Sequence, residues 1–360
     1  MSKLHFLFCF LLSGPLYCQL TTGSSFSNLE IFGSARILAL GSSSAAHPGD
    51  VSFTALNPAA INESHINQWS ITSQAAIGGL RRGSLTVGLP LPKKWSNKIK
   101  NNSQKILNSQ KGGLNLKTFN FFMAAGVDYN HSGQLERRDV QGNQIGFFTA
   151  RELTPRVALN AQFGPFSFGF GAKLPIISYD TFTSQAISTD YAFQWTADSA
   201  RKQIVLLMRN VGWNIEYFAQ QREMLPFDLQ ISFSQKLRYA PFRYNIAYTH
   251  IEHWDLKYLD PQLLIKDPIT GLEFYLDLPW YNNLLRHLIF SVEAQLGQRI
   301  YFQLGYDFRR QIENRIQTRR VSAGISSGIM FKGGKNSFQY GSSLFNVAGR
   351  INQFSLIRNF

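Results

Sequence analysis

The sequence predicts an all-β fold, a 14-stranded antiparallel transmembrane β-barrel. Three observations carry that expectation. Long segments alternate apolar and polar residues, and the chain opens on an export signal. Beyond that signal there is no apolar run of 18 residues, so no spanning helix is expected. The clearest alternation lies in Leu225 to Leu256. Phe227, Leu229, Ile231 and Phe233 alternate with Asp228, Gln230, Ser232 and Ser234. After a break from Gln235 to Pro241, Phe242, Tyr244, Ile246 and Tyr248 alternate with Arg243, Asn245, Ala247 and Thr249. A period of two gives a strand with one apolar and one polar face, and two such arms around a short break make a hairpin.

The N-terminus reads as a secretory signal over residues 1–18. Lys3 supplies a positive charge, Phe6 to Leu12 is an unbroken apolar run, and Ser13-Gly14-Pro15 breaks it. Cleavage after Cys18 leaves Gln19 first and removes both cysteines, Cys9 and Cys18. The mature chain then has no disulfide, no thiolate metal site and no thiol nucleophile. Acylation of Cys18 as a lipoprotein is the alternative, but bulky Leu16 and Tyr17 stand where small residues are needed.

Composition agrees with a barrel. Aromatic residues make up 14% of the chain, with 30 Phe and 14 Tyr, types that favour strands and the headgroup boundary. The formal charge is +14. Export argues against nucleic acid as the partner; anionic headgroups and lipopolysaccharide phosphates match the excess of Lys and Arg, as does a plain solvated basic surface.

Residues 19–66 do not alternate. Ser34 to Gly41 reads as a short helix, followed by loop signals at His47-Pro48-Gly49 and Asn57-Pro58-Ala59-Ala60. The barrel is expected over residues 67–360, with alternation from Trp69 onward. Clear examples are Leu85-Val87-Leu89, Val157 to Phe163, Phe166 to Ala172, Tyr191 to Trp195, Leu288 to Leu296, Ile300 to Phe308 and Val321-Ala323-Ile325. Gly164-Pro165, Gly297-Gln298 and Lys332 to Lys335 serve as tight turns. Between Asn67 and Phe360 the pattern allows 14 or 15 strands, and the even number usual for single-chain bacterial barrels selects 14. Phe354, Leu356 and the terminal Phe360 share one face of the last strand, as in many barrels that present a C-terminal assembly signal, although Arg358 interrupts it.

Two segments are too long for turns. Lys93 to Lys117 holds seven Lys and no acid, suiting a membrane surface, an acidic partner or a solvated loop. Asp260 to Arg286 carries Pro261, Pro268 and Pro279. Long loops on rigid scaffolds carry binding. Candidate contacts for a partner or for lipopolysaccharide are Trp254, Trp280 and Tyr281, with Arg309, Arg310, Arg315, Arg319 and Arg320 crowding one hairpin end.

No catalytic constellation emerges. His250 and His253, three apart on a strand, would point to opposite faces, so no metal site is expected there. No G-x-S-x-G elbow occurs, and Gly41-Ser42-Ser43-Ser44 reads as a flexible polar loop rather than a phosphate cradle. Glycines inside strands, such as Gly169 and Gly171, would permit a kinked strand. The reading is a non-enzyme without cofactor.

The run Ser34 to Gly41 followed by Asn57-Pro58-Ala59-Ala60 resembles the start of FadL-like outer-membrane barrels. That resemblance implies that residues 19–66 fold into the lumen as a plug, with Asn57, Pro58 and Ala59 as its structural motif. Further on, Leu225-Pro226-Phe227-Asp228-Leu229-Gln230, Ala240-Pro241-Phe242-Arg243 and His253-Trp254-Asp255-Leu256 resemble the PorQ-like family of the type IX protein secretion system. So do Leu285-Arg286-His287, Leu304-Gly305-Tyr306 with Arg309-Arg310, and Arg319-Arg320 with Ala323-Gly324. The resemblance runs from about Ser34 to the C-terminus. It implies a non-catalytic scaffold in the outer membrane of a Gram-negative bacterium, part of a cell-surface attachment complex. The expected partners are a PorZ-like surface protein and, through it, a sortase-like protease and a PorV-like barrel that anchor cargo to lipopolysaccharide. The alternative is a FadL-type transporter of hydrophobic small molecules.

Overall fold

The computed structural model describes residues 26, 29, 33–75, 79–91, 120–197, 199–218, 223–256, 264–266, 273–275, 279–314, 323–346 and 349–360. The signal segment, Lys93 to Lys117 and Arg315, Arg319 and Arg320 lie outside the described residues.

Fourteen antiparallel wall strands form a closed barrel. In chain order they are β1 (Gln68–Ala75), β2 (Arg81–Leu89), β3 (Asn120–His131), β4 (Ala150–Phe163), a kinked β5 (Phe166–Lys173 and Ile176–Tyr179), β6 (Phe182–Ala197) and β7 (Lys202–Glu216). The second half comprises β8 (Asp228–Lys236), β9 (Phe242–Tyr248), β10 (Leu288–Leu296), β11 (Ile300–Asp307), β12 (Ile325–Gly333), β13 (Asn336–Asn346) and β14 (Gly349–Asn359). Each strand pairs with its sequence neighbour, and β14 returns to β1 with Gln68 opposite Asn359 and Ala75 opposite Asn352. Closure removes the unpaired edges that a bilayer does not tolerate.

The alternation is inverted relative to a soluble protein. Along β8, Asp228, Gln230, Ser232 and Ser234 are buried, while Ile231 between them is exposed. Ile71, Leu85, Val157, Phe168, Phe193, Leu206, Phe290, Leu304, Phe338 and Phe354 form an exposed apolar exterior around the wall. Aromatic rings contact one another across neighbouring strands there, as in Phe168 against Phe193 at 5.2 Å and Phe170 against Tyr191 at 5.6 Å. Polar inside and apolar outside is the pattern of a membrane-embedded barrel.

The β5 kink falls at Leu174-Pro175, beside Pro155 on β4. Pro175 has no N–H, so the ladder breaks there. The wall remains joined: Leu174 N donates to Pro155 O at 3.0 Å, and Ala186 N to Pro175 O at 3.1 Å.

Residues 33–66 run through the barrel interior. Helix α1 (Ala35–Ala39) contacts β11 to β14, and short 3-10 turns at Val51–Ala55 and Pro58–Ala60 contact β1 to β6. Ile37, Leu40, Phe53 and Leu56 form an apolar cluster with Ala192 of β6 and Val205 and Leu207 of β7. Gly169 and Gly341 face this segment: a Cβ at either position would collide with the backbone at Ala59 or Ala35. Sequence reasoning offered Gly169 and Gly171 as kink positions; the kink lies beyond them, and Gly169 instead makes room for the inner segment. Gly41 to Ser44 is likewise no flexible loop. Gly41 ends α1 at φ 83°, Ser42 N donates to Ile37 O at 2.9 Å, and Ser44 Oγ donates to Leu40 O at 2.8 Å.

The two ends differ. The end carrying the C-terminus has tight turns after β4, β6, β8, β10 and β12, plus the 90–119 connection. The other end carries the connections 132–149, 217–227, 249–287 and 308–324 beside the short ones 76–80, 180–181 and 347–348. In it lie two features the alternation did not signal: a hairpin of Leu135–Arg138 with Gln144–Phe148, and helices α2 (Trp280–Arg286) and α3 (Phe308–Glu313). The β11 strand therefore stops at Asp307, one residue before Phe308, because Asp307 Oδ1 caps α3 by accepting from Arg310 N at 3.1 Å. Likewise β12 starts at Ile325, since Ala323 and Gly324 form a turn with Gly324 at φ 85°.

Candidate functional site

Helices α2 and α3 pack together at the long-loop end. The 249–256 turn is tied to them. Asn283 donates from Nδ2 to Trp254 O and accepts from Leu256 N at 3.0 Å, and the ring nitrogens of His287 lie 2.7 Å from Thr249 O and 3.1 Å from Trp254 O. His287 is fully buried between the rings of Tyr248, at 4.8 Å, and Trp254, at 5.7 Å. This wedge holds Trp254 half outside the fold, at 56% exposure, while Trp280 is 70% exposed and Tyr281 53%. Trp280 and Tyr281 meet edge to face at 6.4 Å. The structure thus gathers Trp254, Trp280, Tyr281, Arg309 and Arg310 at one end of the barrel.

The two described arginines turn partly inward. Arg309 Nε lies 3.3 Å from Glu313 and Arg310 Nε 3.2 Å from Asp307, and both side chains line a cavity of about 270 Å³ with Arg209, Asp228, His250 and Arg286. Phe360, the expected assembly residue, is 71% exposed, and its N–H donates to Asn67 O at 3.0 Å. Of the inner-segment motif, Asn57 caps Pro58–Ala60 by accepting from Ala59 N at 2.9 Å. Its Nδ2 donates to Ala45 O at 3.1 Å and to Gln194 Oε1 at 2.9 Å.

His250 and His253 do not sit on a strand; β9 ends at Tyr248, and His250 has φ 54° in a turn. His250 joins Asp228 and Glu252 instead, all three offering ligand atoms within 4.8 Å of one another. That set has the chemistry of a metal site, but its groups are already engaged. Asp228 Oδ1 accepts from His250 N at 3.0 Å, Glu252 Oε2 accepts from Leu229 N at 2.9 Å, and Arg209 Nη1 lies 3.6 Å from Asp228. Burial pulls the His250 pKa down, but the bond to Glu252 and the charge of Asp228 outweigh it and raise it above 6.5. The imidazole between two carboxylates is thereby tied into the turn.

No helix among the described residues is long and apolar enough to cross a membrane, which says nothing of strands. No protein-family model matches the chain, and no curated protein matches it. Among solved structures it is similar to the toluene transporter TodX of Pseudomonas putida. The TM-score is 0.50 at 9% identity, covering 94% of this chain and 100% of that one. It is also similar to a Pseudomonas aeruginosa FadL homologue, with TM-score 0.43, 10% identity, and 91% and 98% covered. At such identity the TodX likeness is one of fold alone, a closed 14-stranded antiparallel β-barrel.

Proposed function

We propose that this chain is a non-catalytic outer-membrane scaffold that docks a surface protein on its long-loop end. The observation that carries the proposal is the aromatic group Trp254, Trp280 and Tyr281, held on α2 and on the 249–256 turn bonded to it, above a lumen occupied by the chain's own N-terminal segment. Short turns on the periplasmic side and long loops outside are the rule for such barrels, so this end faces out. Exposed tryptophans on a rigid base are the residue type that dominates docking energies. With the resemblance to PorQ-like proteins, the scaffold is a component of the type IX secretion system. Its signal peptide is removed on export, its host is Gram-negative, and its direct partner is a PorZ-like surface protein. A sortase-like protease and a PorV-like barrel join indirectly, and cargo is anchored to lipopolysaccharide.

The test is a mild-detergent pull-down of the tagged protein from its native outer membrane. Near-stoichiometric recovery of a surface protein is expected, reduced about tenfold or more by combining Trp254→Ala with Trp280→Ala. Recovery of the barrel alone, together with normal anchoring of surface proteins in a separate strain deleted for this chain, would sink the scaffold.

A second reading, transport of a hydrophobic small molecule, is favoured by the fold shared with TodX and by the apolar inner group beside the kink, Phe26, Leu29, Ile177, Ala186 and Leu225. The continuous hydrogen bonding at Leu174 and Ala186 and the charged cavity lining weigh against it. An apolar compound extracted stoichiometrically from the purified protein would favour this reading.

A further inference from the structure

The lumen at the tight-turn end holds a second cavity, of about 240 Å³, lined by Arg36, Lys236, Arg243, Glu293, Tyr301 and Lys332. Four cations thus surround one carboxylate, and that carboxylate is already taken. Arg36 donates to Glu293 through Nε at 2.8 Å and Nη2 at 2.7 Å, and His47 Nε2 lies 3.5 Å away.

The other three cations have neutral partners. Lys236 Nζ donates to Gln295 Oε1 at 3.0 Å, and Lys332 Nζ lies 4.7 Å from the centre of the Tyr301 ring. Arg243 is 8% exposed; it donates to Ser234 Oγ at 3.0 Å and to Ala200 O at 2.7 Å. None of the three forms an ion pair with a described residue. Neutral acceptors satisfy N–H groups but pair no charge, which is costly at buried Arg243, whereas Lys236 is half-buried and Lys332 is exposed at the cavity mouth. The one long connection at this end, 90–119, contains no Asp or Glu and supplies no counter-charge.

We propose that this cavity binds a phosphate group. Lys236 and Arg243 are cross-strand neighbours on β8 and β9 and Lys332 stands on β12, so positive charge meets the cavity from two stretches of the wall. That arrangement suits a tetrahedral, multiply charged oxyanion better than a planar carboxylate. Arg243 offers its fork and the lysines act as point charges. The volume corresponds to about eight waters, more than bare phosphate needs. The remainder accommodates the carbon body of an ester, for which Tyr301 and Pro48 provide an apolar shelf. Such a phosphoester is either a free small molecule or the headgroup of an anionic lipid reaching in from the bilayer surface.

The test uses the full barrel in phosphate-free maltoside detergent, titrated calorimetrically with glycerol 3-phosphate. In parallel, native mass spectrometry follows retained lipid after incubation with phosphatidylglycerol nanodiscs. Saturable glycerol 3-phosphate binding identifies a free phosphoester; retained phosphatidylglycerol without it identifies the headgroup. In either arm Arg243→Gln and Lys332→Gln should each weaken binding about tenfold, while Arg358→Gln on the outer face leaves it unchanged. Heat-dependent gel mobility verifies that each variant still closes. The proposal is overturned if neither arm shows binding, or if closed Lys332→Gln and Arg243→Gln barrels bind as well as the parent.

Discussion

Arg36 and Glu293, 257 residues apart in the chain, are joined by two charge-assisted hydrogen bonds inside the barrel, with both side chains at least nine-tenths buried. They bolt the inner helix to β10. Removing one partner leaves a buried charge, so Glu293→Gln and Arg36→Met should each cost about 3–5 kcal/mol. The double change to Met at both positions should cost less than either single, because no charge is stranded. Urea unfolding in detergent, followed by tryptophan fluorescence, measures all three.

Glycines that admit the inner segment should be intolerant of any side chain. Gly341→Ala would push against Ala35 and Gly169→Ala against Ala59, whereas a Cβ at Gly83 meets nothing closer than Thr72 O at 3.9 Å. The first two are expected to loosen residues 33–66 and speed their proteolysis in the folded barrel. Gly83→Ala should be cleaved at the parent rate.

Acid should loosen the inner segment through His47. Burial and the charge of Arg36 lower its pKa from 6.5 to about 4, against the attraction of Glu293. Between those values the unfolded chain binds a proton that the folded one refuses, so stability is full above pH 6.5 and falls as pH drops towards 4. In the urea experiment repeated across this window, His47→Gln should flatten part of the decline. An unchanged slope would show that His47 contributes nothing to it.

The exterior should reject charge. Leu304 is 60% exposed on β11, and Leu304→Arg should destabilise the barrel by about 2–4 kcal/mol if it lies near the bilayer midplane. Leu304→Phe should be close to neutral. Folding yield into lipid vesicles, scored by heat-dependent gel mobility, separates the two.

Much of the wall was legible because alternation is a local signal. The β8–β9 hairpin lies where Phe227 to Tyr248 predicted it, with the strand count and the short helix at Ala35. What escaped was whatever depends on which inward faces meet. Lys236, Arg243 and Lys332 sit on three strands, and nothing in their spacing says that they share a cavity with Arg36. His250 misled because the strand stops at Tyr248, so the opposite-face rule for strands did not apply. Gly169 was read as a property of its own strand, when its reason is the backbone of Ala59, 110 positions earlier. Of the candidate docking residues, the aromatic ones were readable by type. Their gathering on one end needed helix α2, which the Asp260 to Arg286 composition concealed.

Helix α1 precedes the whole wall in the chain, yet its partners lie on the last four strands. Ala35 N binds Ser355 Oγ across 320 residues, and Gln68 pairs with Asn359 to close the seam. Contacts this distant in sequence cannot form until the final hairpin exists. A chain interrupted before β14 would therefore lose, in one stroke, the strand that completes the cylinder and the hydroxyl that anchors its lining. Completion of the wall and filling of the interior are one checkpoint, read at the C-terminus.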